Sequence, residues 1–175
     1  NLKDSLVSLN EKIALTKSSK NNTNKLIKLN KDQLEAAKES MGLDTQLIRD
    51  KTYFLVKKDE EIIGSGGYSY RKTLFGGNHT PNRSDDLLVP GRDAAKVRAM
   101  YTEPSWIRKG VGSYILNLAE NSIIQLGFNK AELMATVSGI LLYENRGYKV
   151  VEEIEYESKL GNKVPMYKME KTIHG

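Results

Sequence analysis

The stretch from Ala95 to Leu126 constrains this chain more than any other. Ala95 to Thr102 has the alternating, β-leaning character of a strand, and Glu103-Pro104 breaks it. Arg108-Lys109 then add positive charge, and Gly110-Val111-Gly112-Ser113 opens a helix. Val111, Ile115, Leu118, Ala119 and Ile123 form one apolar stripe along that helix, and Gly127 closes it. The first turn of a helix carries N–H groups with no intrahelical acceptor, at the positive end of the helix dipole. A basic, glycine-bearing loop that feeds such a turn suits a phosphate group.

The remaining elements surround this unit. Leu2, Leu6, Leu9 and Ile13 recur at helical spacing and predict an amphipathic helix to about Lys17. A second helix is expected from a cap at Asn30 through Lys38, ending near Gly42, and Asp44 to Ile48 can add a further turn. Thr52 to Val56 and Glu61 to Tyr70 read as a hairpin of two strands about the charged turn Lys57-Lys58-Asp59-Glu60. Gly64, Gly66 and Gly67 weaken the second of these strands. A bulge or a close packing contact explains them better than a ligand does.

Arg71 to Asp93 is a long polar connection holding His79, Arg83, Asp85, Asp86 and Arg92. Connections of this length inside compact domains tend to be binding loops, so part of it is expected to meet a substrate. Downstream, Ala131 to Thr136 reads as a strand and Leu141 to Asn145 as a short helix. Tyr148 to Tyr156 and Val164 to Thr172 are two more strands, joined by Lys159-Leu160-Gly161-Asn162. The order is helices, then β-β-β-α-β-α-β-β, which predicts one mixed α/β domain over residues 1–175.

Composition removes several chemistries. The chain has no cysteine and two histidines, His79 and His174, far apart in sequence. Disulfides, thiolate metal sites and cysteine nucleophiles are excluded, and a histidine metal centre or a Ser-His-Asp triad is disfavoured. The longest apolar runs are far shorter than a membrane span, and no secretory signal is recognisable, so a cytoplasmic protein without a membrane partner is expected. The net charge of +5 fits a polyanionic ligand as well as it fits a solvated lysine-rich surface. A nucleic-acid partner is not expected, since no reading motif and no interleaving of aromatic and basic residues is present. Two nucleotide fingerprints also fail. Gly110-Val111-Gly112 begins a G-x-G-x-x-G, but its third slot is Ile115, and no G-x-x-x-x-G-K-[ST] occurs.

Val97 to Leu116, then Glu132 to Thr136, then Leu142-Tyr143-Glu144-Asn145-Arg146-Gly147-Tyr148 resemble a GNAT-type (Gcn5-related) N-acetyltransferase. The family's phosphate-loop pattern, Q/R-x-x-G-x-G/A, reads here Ile107-Arg108-Lys109-Gly110-Val111-Gly112, with Ile107 in place of the usual Gln or Arg. The later Y-x-x-x-G-Y/F pattern is intact from Tyr143 to Tyr148. The resemblance covers roughly Thr52 to Thr172. The family's first strand has no clear counterpart, which fits a chain trimmed before Asn1.

The resemblance implies acetyl-CoA as co-substrate, no metal, and a cofactor lying between splayed strands at Ala95–Thr102 and Ala131–Thr136. Backbone groups of Met100, Tyr101 and Thr102 would pair with the pantetheine arm, and the N–H groups of Arg108, Lys109, Gly110, Val111, Gly112 and Ser113 would hold the pyrophosphate. Tyr143 takes the place of the family's proton donor to the leaving thiolate. Glu103 is the first candidate for the base, with Asp85, Asp86, His79 or a water chain as alternatives. Trp106 reads as a packing or lid residue, and Arg98 as either internally paired or directed into the acceptor cleft. The implied reaction is N-acetylation of a primary amine, on a small molecule or a protein, by direct attack in a ternary complex. A CoA-binding module without turnover is the alternative. Pairing of C-terminal strands between subunits in this family makes a homodimer a further expectation.

Overall fold

The computed structural model describes residues 44–78, 80, 83–158 and 161–174, so the helices expected at Leu2–Lys17 and Asn30–Gly42 lie outside the described residues, as does His79. A short helix α1 (Thr45–Arg49) is capped by Asp44, whose carboxylate accepts from the Gln46 N–H at 3.1 Å. Then follow β1 (Tyr53–Lys58), β2 (Glu61–Ser69), β3 (Ala95–Thr102), a 3₁₀ turn (Pro104–Trp106), α2 (Val111–Gln125), β4 (Lys130–Thr136), α3 (Ile140–Asn145), β5 (Lys149–Glu157) and β6 (Lys163–Thr172). Every strand and helix expected after residue 44 is present, displaced by one or two residues at its ends. The 3₁₀ turn is the one element the sequence patterning does not announce.

The strands form one sheet in the order β1-β2-β3-β4-β6-β5. β1, β2 and β3 run antiparallel to their neighbours, as do β4, β6 and β5, while β3 and β4 are parallel. That parallel seam comprises two residue pairs only, Ala95 with Ala131 and Lys96 with Glu132. At the far end of the sheet β5 is an edge strand, exposed at most of its length and carrying Glu152, Glu153, Glu155 and Glu157.

One face of the sheet receives α2. Leu116, Ala119 and Ile123 are buried against Ala95, Val97, Ala131, Leu133 and Met169, while Val111 and Ile115 pack with Ile63, Val56 and Met100. Each large apolar side chain removed from water in this way contributes about 1.5–3 kcal/mol. Leu116 takes the buried place expected for Leu118, which is only half-buried. The stripe also contains an acid, Glu120, neutralised by the Lys171 ammonium at 2.9 Å.

The glycines of β2 are explained by this packing. A Cβ at Gly64 would lie 2.6 Å from Val111 Cγ1, and one at Gly66 would lie 2.8 Å from Ile115 Cγ2, so their absence lets α2 approach the sheet. Gly67 meets backbone instead, since a Cβ there would lie 2.1 Å from the Thr52 carbonyl oxygen. Overpacking against a main-chain carbonyl cannot relax by a rotamer change. Gly67→Ala is therefore expected to destabilise the protein by about 2 kcal/mol or more, read as a lower midpoint in urea unfolding with an unchanged slope.

Candidate functional site

The site is built where β3 and β4 part. Along β3 the register with β2 slips: Ser65 faces Tyr101 and Gly67 faces Arg98, so Ala99 and Met100 together oppose Gly66. This is a β-bulge on β3, and Ala99 within it has φ +52°, a left-handed conformation that costs a residue with a Cβ about 1–3 kcal/mol. The bulge resets the side-chain alternation. Val97 and Met100 turn to the α2 face, while Arg98 and Tyr101, three residues apart, share the opposite face with Ser65. Beyond Lys96 the strand no longer pairs with β4, and its backbone edge opens toward a gap between the two halves of the sheet.

The N-terminus of α2 stands at this opening. Gly110 is its cap residue, with φ +85° and no side-chain cap, so the first-turn N–H groups of Val111, Gly112 and Ser113 keep their hydrogen-bonding capacity for something outside the helix. A Cβ at Gly110 would meet nothing within 4 Å, which leaves open space for a ligand beside this backbone. A Cβ at Gly112 would lie 3.0 Å from Leu142 Cδ2 and 3.8 Å from Thr102 Oγ1. The end of β3, the start of α2 and helix α3 therefore converge on one point. Arg108 has φ +67°, and Arg108 and Lys109 are exposed. Ile107 is 53% exposed, so the side chain that departs from the family pattern packs into nothing the loop needs. A phosphate held by consecutive N–H groups and a helix dipole fits this donor set.

Tyr143, on α3, is 8% exposed. Its ring stands edge-on to that of Tyr148, with centroids 6.0 Å apart, and against Gly139, where a Cβ would lie 3.0 Å from Tyr143 Cε2. Burial pushes its phenol above the ordinary range, and the phenol of Tyr101 adds to the shift. Tyr101 also acts electrostatically on Tyr53, whose hydroxyl lies 2.9 Å from Ser65 Oγ and whose phenol is likewise raised by burial. Glu103 is half-buried at the end of β3, its N–H donating to the Ile63 carbonyl at 2.9 Å. Asp85 and Asp86 are exposed on the long connection, and Asp86 is held by Lys72 at 2.8 Å.

Arg98 settles between its two readings in favour of internal pairing. It is 3% exposed, 2.7 Å from the Asp44 carboxylate, and donates to the carbonyls of Thr73 and Gly76. Arg83 reaches the same carboxylate at 2.9 Å and donates to the carbonyls of Gly76 and Gly77. Arg71 closes the base of the connection, gripping Asp50 with two hydrogen bonds of 2.7 and 2.8 Å. These contacts hold the Asp50 carboxyl below its usual range, the Arg71 hydrogen bond being the largest cause. The connection from Arg71 to Asp93 is therefore strapped to the sheet beside the bulge. Phe75 meets Tyr156 of β5 edge-on, with centroids 6.2 Å apart, and so ties it to the far half of the sheet. Asp44, which the sequence places at the start of a single further helical turn, is the anchor of this arrangement. Its partners lie 39 and 54 residues away, beyond any local pattern. Among the described residues, no group of three or more His, Asp or Glu could hold a metal ion, and no helix is long and apolar enough to cross a membrane.

Comparison with known proteins agrees with this geometry. The sequence model described as the acetyltransferase (GNAT) family matches residues 23–148. No curated protein sequence matches. Among solved structures the chain is similar to a GCN5-related N-acetyltransferase from Rhodopseudomonas palustris, with 12% identity, 99% of this chain and 92% of that one covered, and a TM-score of 0.64. It is similar to Naa20 of Chaetomium thermophilum in complex with a bisubstrate analogue, with 15% identity, 95% and 82% covered, and a TM-score of 0.59. It is also similar to a ribosomal-protein-alanine N-acetyltransferase from Brucella melitensis, with 12% identity, 98% and 96% covered, and a TM-score of 0.57. At these identities the likeness is one of fold.

The arginine straps generate a test. Arg98→Met removes one of the two arginine partners of the buried Asp44 carboxylate, leaving Arg83 on it, and is expected to cost about 2 kcal/mol or more in denaturant unfolding. Limited proteolysis should then cut between residues 71 and 93 before anywhere else among residues 44–174.

Proposed function

The chain belongs to the acetyltransferase (GNAT) family, a family of acetyl-CoA-dependent acyltransferases, and from that premise we propose that it moves the acetyl group to a primary amine by direct attack within a ternary complex. The acceptor class in this reading is a small-molecule or peptide amine. The observation that carries it is the gap between β3 and β4, paired at two residues and then parted, with the donor-rich terminus of α2 at its mouth. The similar folds named for N-acetyltransferases, one with a bisubstrate analogue, support the same reaction class.

Acetyl-CoA supplies an activated thioester. In this reading the N–H groups from Arg108 to Ser113 hold its pyrophosphate, and the bulged edge at Met100, Tyr101 and Thr102 pairs with the pantetheine arm as an added strand would. Those contacts fix the thioester carbonyl where an amine entering from the Tyr101 face can reach it. The amine must first lose a proton, since an alkylamine has a pKa of about 10.4. Glu103 receives that proton, directly or through water. As the C–N bond forms and the C–S bond breaks, the Tyr143 hydroxyl gives its proton to the departing sulfur, and the second proton shed by the attacking nitrogen passes through water to restore the phenol. A phenol raised by burial stays protonated across the neutral and mildly basic range, the state a donor needs.

Two measurements test this. Incubation with acetyl-CoA and a panel of amines should release free thiol. CoA binding with no release for any amine would make the protein a binding module. Tyr143→Phe should lower kcat about 100-fold while leaving CoA affinity within twofold. Because the Tyr143 pKa is raised above 10, its proton is present below that pH. The wild-type kcat/KM profile should therefore rise with pH as the amine deprotonates, with no falling limb below pH 9; a fall there, absent from the Phe variant, would assign Tyr143 a different role.

A further inference from the structure

Trp106, the single tryptophan of the chain, ends the 3₁₀ turn between β3 and the glycine loop. Its ring packs beside Ile63, Val111 and Ile115, and two ammonium groups lie over it: Lys109, next to the cap residue Gly110, and Lys58, at the end of β1. Each nitrogen is 4.9 Å from the ring centroid. A cation at that distance over an indole is attracted by the ring quadrupole, so one side chain gathers two lysines that are 51 residues apart.

The electrostatics of this corner differ from those of the rest of the fold. Several buried or half-buried cations of the fold meet carboxylates: Arg71 with Asp50, Arg98 with Asp44, Lys96 with Glu132, Lys171 with Glu120. Around Trp106, Lys58, Arg108 and Lys109 have no carboxylate within 4 Å among the described residues, and the positive end of the α2 dipole adds to them. Even the neighbouring Lys57 takes Glu60, at 3.6 Å, and leaves Lys58 aside. Gathering like charges onto one ring beside a helix N-terminus raises the local potential, which an anion of several charges relieves.

We propose that Lys58 is a further phosphate-binding residue of the cofactor site, and that Trp106 is a positioning residue which holds Lys58 and Lys109 together at the diphosphate of acetyl-CoA. This rests on the acetyl-CoA reading above and adds to it a contribution from β1, an element outside the phosphate-loop motif. It also gives the site a means of preferring donors that carry phosphate over pantetheine thioesters that do not. Packing of lysine stems on a half-buried aromatic is the competing account, and it makes no such distinction between ligands.

Calorimetric titration of the full chain with CoA and with pantetheine, at several salt concentrations, separates the two. Lys58→Ala and Trp106→Leu should each weaken CoA binding about 5- to 10-fold and flatten its salt dependence, with pantetheine affinity unchanged. Trp106→Phe, which keeps an aromatic face, should recover most of the CoA affinity. CoA affinity within twofold of wild type in Lys58→Ala would overturn the proposal and leave the acetyl-CoA reading standing, and this outcome holds even if Trp106→Leu fails to fold. Equal losses for CoA and pantetheine would also overturn it, as a structural effect. Failure of the wild-type protein to prefer CoA over pantetheine would instead overturn the acetyl-CoA reading itself.

Discussion

Two residue pairs hold the halves of this sheet together at its parallel seam, Ala95 with Ala131 and Lys96 with Glu132. The alanines let the strands meet closely under α2, and the second pair joins them by a buried ion pair that Lys168 extends to Glu132 at 3.0 Å. Charge in a low-dielectric setting is costly unless compensated, and here each member has its opposite. With the closed end fixed in this way, the strands can separate beyond it without the sheet coming apart. On one side β2 continues to support β3, and on the other β6 supports β4 along seven pairs. The gap is thus a wedge with one pinned end.

Everything that faces the gap takes its position from that pin. The bulge turns Tyr101 and Arg98 to one face and Met100 to the other, so a single strand serves the acceptor side and the helix side together. Arg98 then reaches Asp44 and the carbonyls of the long connection, and the wall of the acceptor side is set by the same residues that set the bulge. The left-handed Ala99 is the strained point of this arrangement, and the packing of α2 onto Gly64 and Gly66 is what over-determines it.

Much of this was legible in the sequence because it was written locally. Periods of 2 and 3.6 marked the strands and helices from Thr52 onward, and the order of the Ile107–Gly112 and Tyr143–Tyr148 motifs gave the family. The glycines of β2 signalled a close approach, correctly attributed to packing. Less visible were features set by partners far away in the chain. Nothing near Ala99 signals a left-handed residue, since the requirement comes from pairing across Gly66. The pairing of Arg98 with Asp44 spans more than fifty residues, and the burial of Glu120 within an apolar stripe depends on Lys171. Pattern reading sees the helix face but not the single cation that makes an acid tolerable on it.

The outer edge of the sheet has a consequence of its own. Among the described residues β5 ends the sheet with an unpaired row of backbone groups, the arrangement by which strands recruit further strands. Its side chains include four glutamates in nine residues, and a register slip between Val150 and Glu152 interrupts its regularity. A second copy laid against it would crowd the glutamates of both strands along one seam, a repulsion that grows as salt is lowered. The same strand whose partner β6 completes the cofactor half of the wedge thus carries an electrostatic guard against runaway sheet growth, and colloidal behaviour at low ionic strength is written into its composition.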